Sequence, residues 1–134
     1  MGGAVKRGEG GFSLVEVLVA LVLLMFGVLA VAPMFVYGAR KAAASADIGK
    51  AGAAAARRME NLRATAYGSL AAGGSLNSNV ASYSDTTDPA VLVRWTIVDD
   101  ATPATVKTIA VLAIARRQVS GPAKRVAFTT MRAR

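Results

Sequence analysis

The chain has 134 residues, a formal net charge of +8 and 54% hydrophobic residues, and it contains neither cysteine nor histidine. This composition excludes disulfides, catalysis by cysteine or histidine, and zinc binding by cysteine or histidine ligands. No phosphate-binding or dinucleotide-binding glycine motif is present. We therefore expect no enzyme, no catalytic residue, no metal site and no cofactor.

The first eleven residues form a short, glycine-rich, basic segment that contains Lys6 and Arg7 and ends at Gly11. In a secretory signal peptide, an apolar core precedes the cleavage site. Here the apolar run begins only after Gly11. Cleavage after this glycine would therefore leave the apolar run in the mature protein.

A long apolar segment runs from Phe12 to Tyr37, and its only charged residue is Glu16. At ~1.5 Å per residue, a helix of this length would span roughly 39 Å, which is enough to cross a bilayer at a tilt. A carboxylate that faced lipid alone would be costly, so Glu16 is a functional candidate. Basic residues before the segment favour a cytoplasmic N-terminus, although Arg40 and Lys41 follow it and weaken that asymmetry.

The junction Gly11-Phe12-Ser13-Leu14-Val15-Glu16, followed by the apolar run, resembles the type IV prepilin processing motif. The resemblance implies that a prepilin peptidase cuts after Gly11 and methylates the new N-terminus at Phe12. It also implies that Glu16 is the assembly glutamate, which pairs with the amine of Phe12 in an adjacent subunit. The alternative is a plain signal-anchor helix with an accidental glutamate.

Pro33 lies inside the apolar run, where a proline removes one helical N–H and predicts a kink or a looser helix. The resemblance implies that it matches a proline of type IV pilins near which the helix melts on polymerisation. A simple transmembrane kink explains the same residue. Both interpretations stay open.

The helical pattern continues beyond the apolar run, over residues 40–67. Apolar and small residues recur there at alternating spacings of four and three, which predicts one buried helix face: Ile48, Gly52, Ala55, Met59, Leu62 and Ala66. Gly68 is a suitable residue to end this helix. Residues 68–90 are rich in glycine and polar residues and predict a loop, either functional or partly disordered.

Antiparallel strands are predicted over residues 91–134. In the first strand the odd-numbered residues, including Val93, Trp95 and Ile97, are expected to face the core. The second strand is apolar on both faces and leaves its inward side open. Val126 and Phe128 are expected to face the core from the last strand.

These elements predict an α+β, pilin-like fold, in which a long N-terminal helix packs on a small antiparallel sheet of three to four strands. We divide the chain into a leader (1–11), a transmembrane and assembly half of the helix (12–39) and a soluble domain (40–134). Three strand segments, 95–98, 107–111 and 126–130, also resemble those of V-class minor pilins.

Charged side chains of the soluble part have two further interpretations. Four aspartates could bind Ca²⁺, although solvated turn residues explain them more simply: Asp85, Asp88, Asp99 and Asp100. Basic pairs could bind DNA phosphates, although a solvated face and contacts to acidic neighbouring subunits are favoured: Arg57-Arg58, Arg116-Arg117, Lys124-Arg125, with Arg132 and Arg134.

The resemblance implies a minor pilin that initiates or caps a type IV pilus. The first alternative is a minor pseudopilin of a type II secretion system; a DNA-binding pilin for uptake is less favoured. The expected partners are the prepilin peptidase and methylase, other minor and major pilins, and assembly platform proteins, with nucleic acid not expected. The expected location is the bacterial inner membrane, with a periplasmic soluble domain, and then the tip or base of the pilus.

Overall fold

The computed structural model describes residues 11–100, 105–117 and 121–134. It contains one long helix, α1, at Leu14–Ala64, followed by a short 3₁₀ turn at Tyr67–Ser69 and an antiparallel sheet. The predicted α+β, pilin-like architecture is therefore confirmed. The chain divides into two compact units, of which the first ends at Ala39 and the second is Arg40–Arg134.

The helix ends three residues before Tyr67, where the sequence pattern placed its end. The Oγ1 of Thr65 donates a hydrogen bond to the carbonyl of Asn61 at 2.9 Å. The guanidinium of Arg132 lies at this end and donates to the carbonyls of Leu62, Arg63 and Thr65. The last carbonyls of a helix have no intrahelical partner, so a cation that binds them stabilises the end at this point.

In the described parts of the chain, five strands form the sheet and all of their pairings are antiparallel: β1 Gly73–Gly74, β2 Ser84–Asp85, β3 Val91–Asp99, β4 Val106–Ala115 and β5 Arg125–Ala133. The three long strands form a meander with β4 at its centre. The register places Trp95 opposite Val111, and Val111 opposite Phe128. The two short strands both pair with the outer edge of β3.

The predicted loop 68–90 is built against β3. Gly74 has φ +88°, and a Cβ there would lie 2.3 Å from the carbonyl oxygen of Trp95. Only glycine allows this close backbone approach. The hydroxyl of Tyr83 donates to the carbonyl of Ala71 at 2.9 Å and closes the loop.

The core of the second unit lies between α1 and one face of the sheet. Its buried apolar residues are Ala51, Ala55, Met59, Leu62, Leu70, Val91, Val93, Trp95, Ile97, Ile109, Val111, Ala113 and Ala115. The inward side of β4, which the sequence left open, is therefore the odd-numbered one. Val126 is partly buried and packs against this cluster.

Ile48 was expected in the core but is 45% exposed, whereas Asp47 is buried. The buried positions of α1 are Asp47, Ala51, Ala55, Met59 and Leu62. From Asp47 to Met59 they follow steps of four, and such a row is inclined by about 26° to the helix axis. The alternating pattern of four and three assumed a stripe parallel to the axis, so it missed the inclined row at its N-terminal end.

Phe128 was also expected in the core and is 41% exposed. It lies on the helix-facing side of β5, opposite Val111 of β4. However, β5 is the edge strand, and α1 covers it only in part. Phe128 therefore lines an open groove of about 230 Å³ with Met59 and Arg63 of α1.

Candidate assembly site

The N-terminus of α1 is organised by Ser13. Its Oγ accepts a hydrogen bond from the backbone N–H of Val15 at 3.2 Å, and its carbonyl accepts from Glu16 and Val17. Serine is a preferred N-cap because it satisfies one of the unpaired N–H groups of the first turn. The cap fixes where the helix begins and thereby sets the position of Glu16 within the first turn.

Glu16 is exposed and lies in the first helical turn, next to the junction between Gly11 and Phe12. A carboxylate at this end of a helix interacts favourably with the helix dipole, by about 0.3–1 kcal/mol. The predicted leader, apart from Gly11, lies outside the described residues. In a mature chain that began at Phe12, the new terminal amine would lie on the same helix end as the carboxylate of Glu16.

Beyond Glu16, the described part of the first unit presents a largely apolar surface. Large apolar side chains are exposed along the whole segment; Phe12, Leu14, Met34 and Phe35 are among the most exposed. Among the described residues, α1 is the one helix long and apolar enough to cross a membrane. A surface of this extent needs lipid or partner helices around it.

Pro33 does not interrupt α1, which is helical on both sides of it. The N–H that proline lacks would have bonded to the carbonyl of Leu29, four residues earlier. The first unit therefore carries one missing hydrogen bond inside a continuous helix. Melting at Pro33 during polymerisation stays a prediction.

A second group of charged side chains surrounds a cleft of about 150 Å³ between α1 and the β2–β3 edge. The guanidinium of Arg58 stacks on the ring of Trp95, 3.5 Å from its centroid, and its Nε is buried without a hydrogen-bond partner among the described residues. Burial lowers the pKa of Arg58, while the charge of Asp85 opposes this effect. The hydrogen bonds that Asp85 accepts from Thr87 hold the pKa of that carboxyl below its usual range.

The four aspartates considered for Ca²⁺ lie at two separate places. Asp85 and Asp88 line the cleft beside Arg58. Asp99 lies at the far end of β3 and accepts from Lys107 at 2.6 Å, and Asp100 accepts from Thr108. In the described parts of the chain, no group of three or more acidic residues could hold a metal ion.

The basic residues also differ in their surroundings: some contact other parts of the domain, and others are exposed. Arg58 and Arg132 are engaged within the domain, on Trp95 and on the end of α1. The N–H of Ala115 donates to the carbonyl of Lys124 at 2.9 Å, which brings the pairs Arg116-Arg117 and Lys124-Arg125 to the same end of the sheet. Arg116, Arg117 and Arg125 are exposed there.

Comparison with known proteins gives one finding. Residues 6–32 match the family model of the prokaryotic N-terminal methylation motif. The match begins in the basic leader and continues through the Gly11–Phe12 junction, Glu16 and most of the apolar segment. No curated protein and no solved structure matches the chain.

The chain therefore carries a class III prepilin signal, which supports the type IV prepilin and pseudopilin family. Proteins of this family are structural, are processed by a prepilin peptidase and assemble with other pilins. The signal and the apolar helix are consistent with anchoring in the inner membrane. The sequence pointed to the same motif, whereas the cleft at Arg58 and the cap at Arg132 depend on tertiary contacts that the sequence does not indicate.

Proposed function

We propose that the protein is a minor pilin that initiates or caps the assembly of a type IV pilus. The observation that carries this proposal is the carboxylate of Glu16, five residues after Gly11, which lies in the first turn of α1 and is the only charge in the apolar segment 12–37. The absence of cysteine also supports a minor subunit, because many major pilins carry a C-terminal disulfide loop.

The mechanism is one of packing. The peptidase cuts after Gly11 and methylates Phe12, and the subunit waits in the inner membrane with its soluble domain in the periplasm. The apolar helix then packs against the helices of other pilins. Glu16 pairs with the amine of Phe12 in the adjacent subunit, since two charges that are each costly in an apolar bundle become tolerable as a close pair. Such a pair also fixes the axial register of the two helices.

Processing is the first test. We expect the mature chain to begin at methylated Phe12 in cells that contain a prepilin peptidase, and to keep its leader in cells that lack it. Intact-mass measurement of the protein, purified from the membranes of both strains, detects the cut and the methyl group. Gly11→Val should block the cut, and Gly3→Val, a matched change within the leader, should not. An uncut chain in both strains, or a cut after the apolar run, would contradict the proposal.

A minor pseudopilin of a type II secretion system is the alternative, because it would use the same leader, helix and glutamate. The processing experiment does not distinguish the two. The neighbouring genes do: pilus biogenesis genes favour the pilin, and a secretion secretin with its substrates favours the pseudopilin.

A further inference from the structure

The two edges of the sheet differ in whether other strands cover them. The edge at β3 is covered by the two short strands β1 and β2. At the other edge, β5 pairs with β4 on one side, and no strand in the described parts of the chain pairs with its other side. β5 has nine residues, which is long for an unprotected edge.

The hydrogen bonds of β5 define which backbone groups are open. The N–H of Arg134 donates to the carbonyl of Thr105, and the carbonyl of Lys124 accepts from the N–H of Ala115. Bonded positions alternate along an antiparallel pair, so the even-numbered residues of β5 bond to β4. The odd-numbered residues direct their N–H and C=O groups outward: Arg125, Ala127, Thr129, Met131 and Ala133.

The side chains along this edge do little to prevent pairing. Edges are commonly blocked by proline, by central lysines or by bulges. The centre of β5, residues 127–131, has no charge and no proline. Phe128 and Met131 lie on opposite faces there and are 41% and 74% exposed, so a strand added at this edge would find apolar contacts on both faces.

The charges at the two ends of β5 determine which kind of strand can pair with this edge. Basic residues stand at both ends of β5, namely Lys124 and Arg125 at one end and Arg134 at the other. Antiparallel pairing of two copies about Thr129 would place Lys124 of each copy opposite Arg134 of the other. Like charges directly opposite each other are destabilising, so a second copy is disfavoured.

We propose that the open edge of β5 docks an extended, acidic segment of a partner protein, which adds a strand to the sheet. Backbone groups of the odd-numbered residues supply the affinity, as in other strand additions. Arg125 and Arg134 select carboxylates at the two ends of the added strand. This contact goes beyond the proposed function, because leader processing and helix packing do not use it.

The test uses the full chain in detergent micelles and a labelled synthetic peptide of the length of β5, with alternating valine and threonine in its centre and glutamates at both ends. We expect saturable, salt-sensitive binding, and none of a control peptide with lysines in place of the glutamates. Thr129→Pro removes an outward N–H but no bond to β4, and should weaken binding about tenfold. Arg125→Glu should also weaken it, whereas Lys50→Glu, the same charge change on α1, should not.

Hydrogen exchange of the unmodified protein keeps the test decisive even if Thr129→Pro fails to fold. Bound peptide should protect the amides of Ala127, Thr129 and Met131. Three results would each overturn the proposal: no binding of the acidic peptide, equal binding by folded Thr129→Pro, or a concentration-dependent dimer that Thr129→Pro abolishes, which would identify a second copy as the occupant.

Discussion

Glu16 is the residue whose chemistry separates assembly from mere membrane anchoring. Its position is set by the Ser13 cap, so replacing the side chain leaves the start of α1 in place. An exposed carboxylate in an apolar segment is expensive unless it meets a counter-charge. The minor-pilin proposal supplies that counter-charge as the amine of Phe12 in a neighbouring subunit.

We predict that Glu16→Val leaves membrane insertion and cleavage after Gly11 intact but reduces capture of other pilins about tenfold or more. The neighbouring amine would lose its partner in a low-dielectric bundle. Crosslinking and co-purification measure capture, and intact mass measures processing. Glu60→Val, which removes an exposed carboxylate from the soluble part, is the matched control. If fully processed Glu16→Val captured other pilins normally, the proposed pairing of Glu16 with the amine of Phe12 would be wrong.

Asp85 gives a second prediction at this scale. Its pKa is lowered in the folded protein, first by the hydrogen bonds from Thr87 and last by the charge of Arg58. A carboxyl with a lowered folded pKa stabilises the protein above its unfolded pKa, and this contribution is lost as the pH falls through the folded pKa. Because Asp85 is exposed, we expect less than about 1 kcal/mol.

Asp85→Asn should therefore lower stability at neutral pH, and the difference from the unmodified protein should vanish in strong acid. Denaturant unfolding followed by the fluorescence of Trp95 at several pH values measures this difference. Ser78→Ala, an exposed loop change with no titratable group, serves as the control. A difference that grew on acidification would contradict the assigned direction.

At the scale of elements, α1 and β5 are joined by Arg132. Its Nη1 donates to the carbonyl of Arg63 at 2.8 Å and also reaches those of Leu62 and Thr65. The carbonyls of Leu62 and Arg63 belong to the last turn and that of Thr65 follows it directly, and a cation at this end is also favoured by the helix dipole. The contact joins residues about 70 positions apart, so it contributes to the packing of the sheet on the helix as well as to the helix end.

We predict that Arg132→Met lowers the free energy of unfolding by about 1–3 kcal/mol, since the side chain keeps its apolar stem but loses its donors. Arg125→Met, on the exposed side of the same strand, should change stability by less than about 0.5 kcal/mol. Denaturant unfolding compares the two variants, and amide exchange localises the effect. Equal stability of the two variants would show that the cap contributes nothing.

The elements also show which parts of the fold the sequence determines locally. The long strands follow from apolar and β-branched runs, the inward side of β3 follows from alternation, and the prepilin signal follows from residues 11–16 together with the apolar run after them. β1 was missed because Gly73 and Gly74 carry no strand preference and pair only through the close approach to Trp95. Ile48 and Phe128 were misplaced because the inclined helix row and the partial cover of β5 are properties of packing.

At the scale of the whole molecule, the two units meet different solvents in the proposed function. Apart from Glu16, the described part of the first has a largely apolar exterior, whereas the second encloses its own core around Trp95, which is 4% exposed. The core draws on α1 from Ala51 onward, on β3 and β4, and on the partly buried Val126 of β5, so it needs nothing from the apolar segment. The second unit should therefore be an independent folding domain, despite its modest size.

The last prediction follows from this independence. A fragment that begins at Arg40 should fold without the apolar segment, because Ala51, Met59 and Leu62 already pack within it. We expect a soluble monomer with a cooperative unfolding transition and Trp95 emission at the short wavelengths of a buried indole. Leu62→Asp places an unpaired charge in the core and should unfold the fragment, which provides the exposed-indole reference. If the unmodified fragment emitted at the wavelength of that variant, the soluble core would have to depend on the apolar helix or on partner subunits.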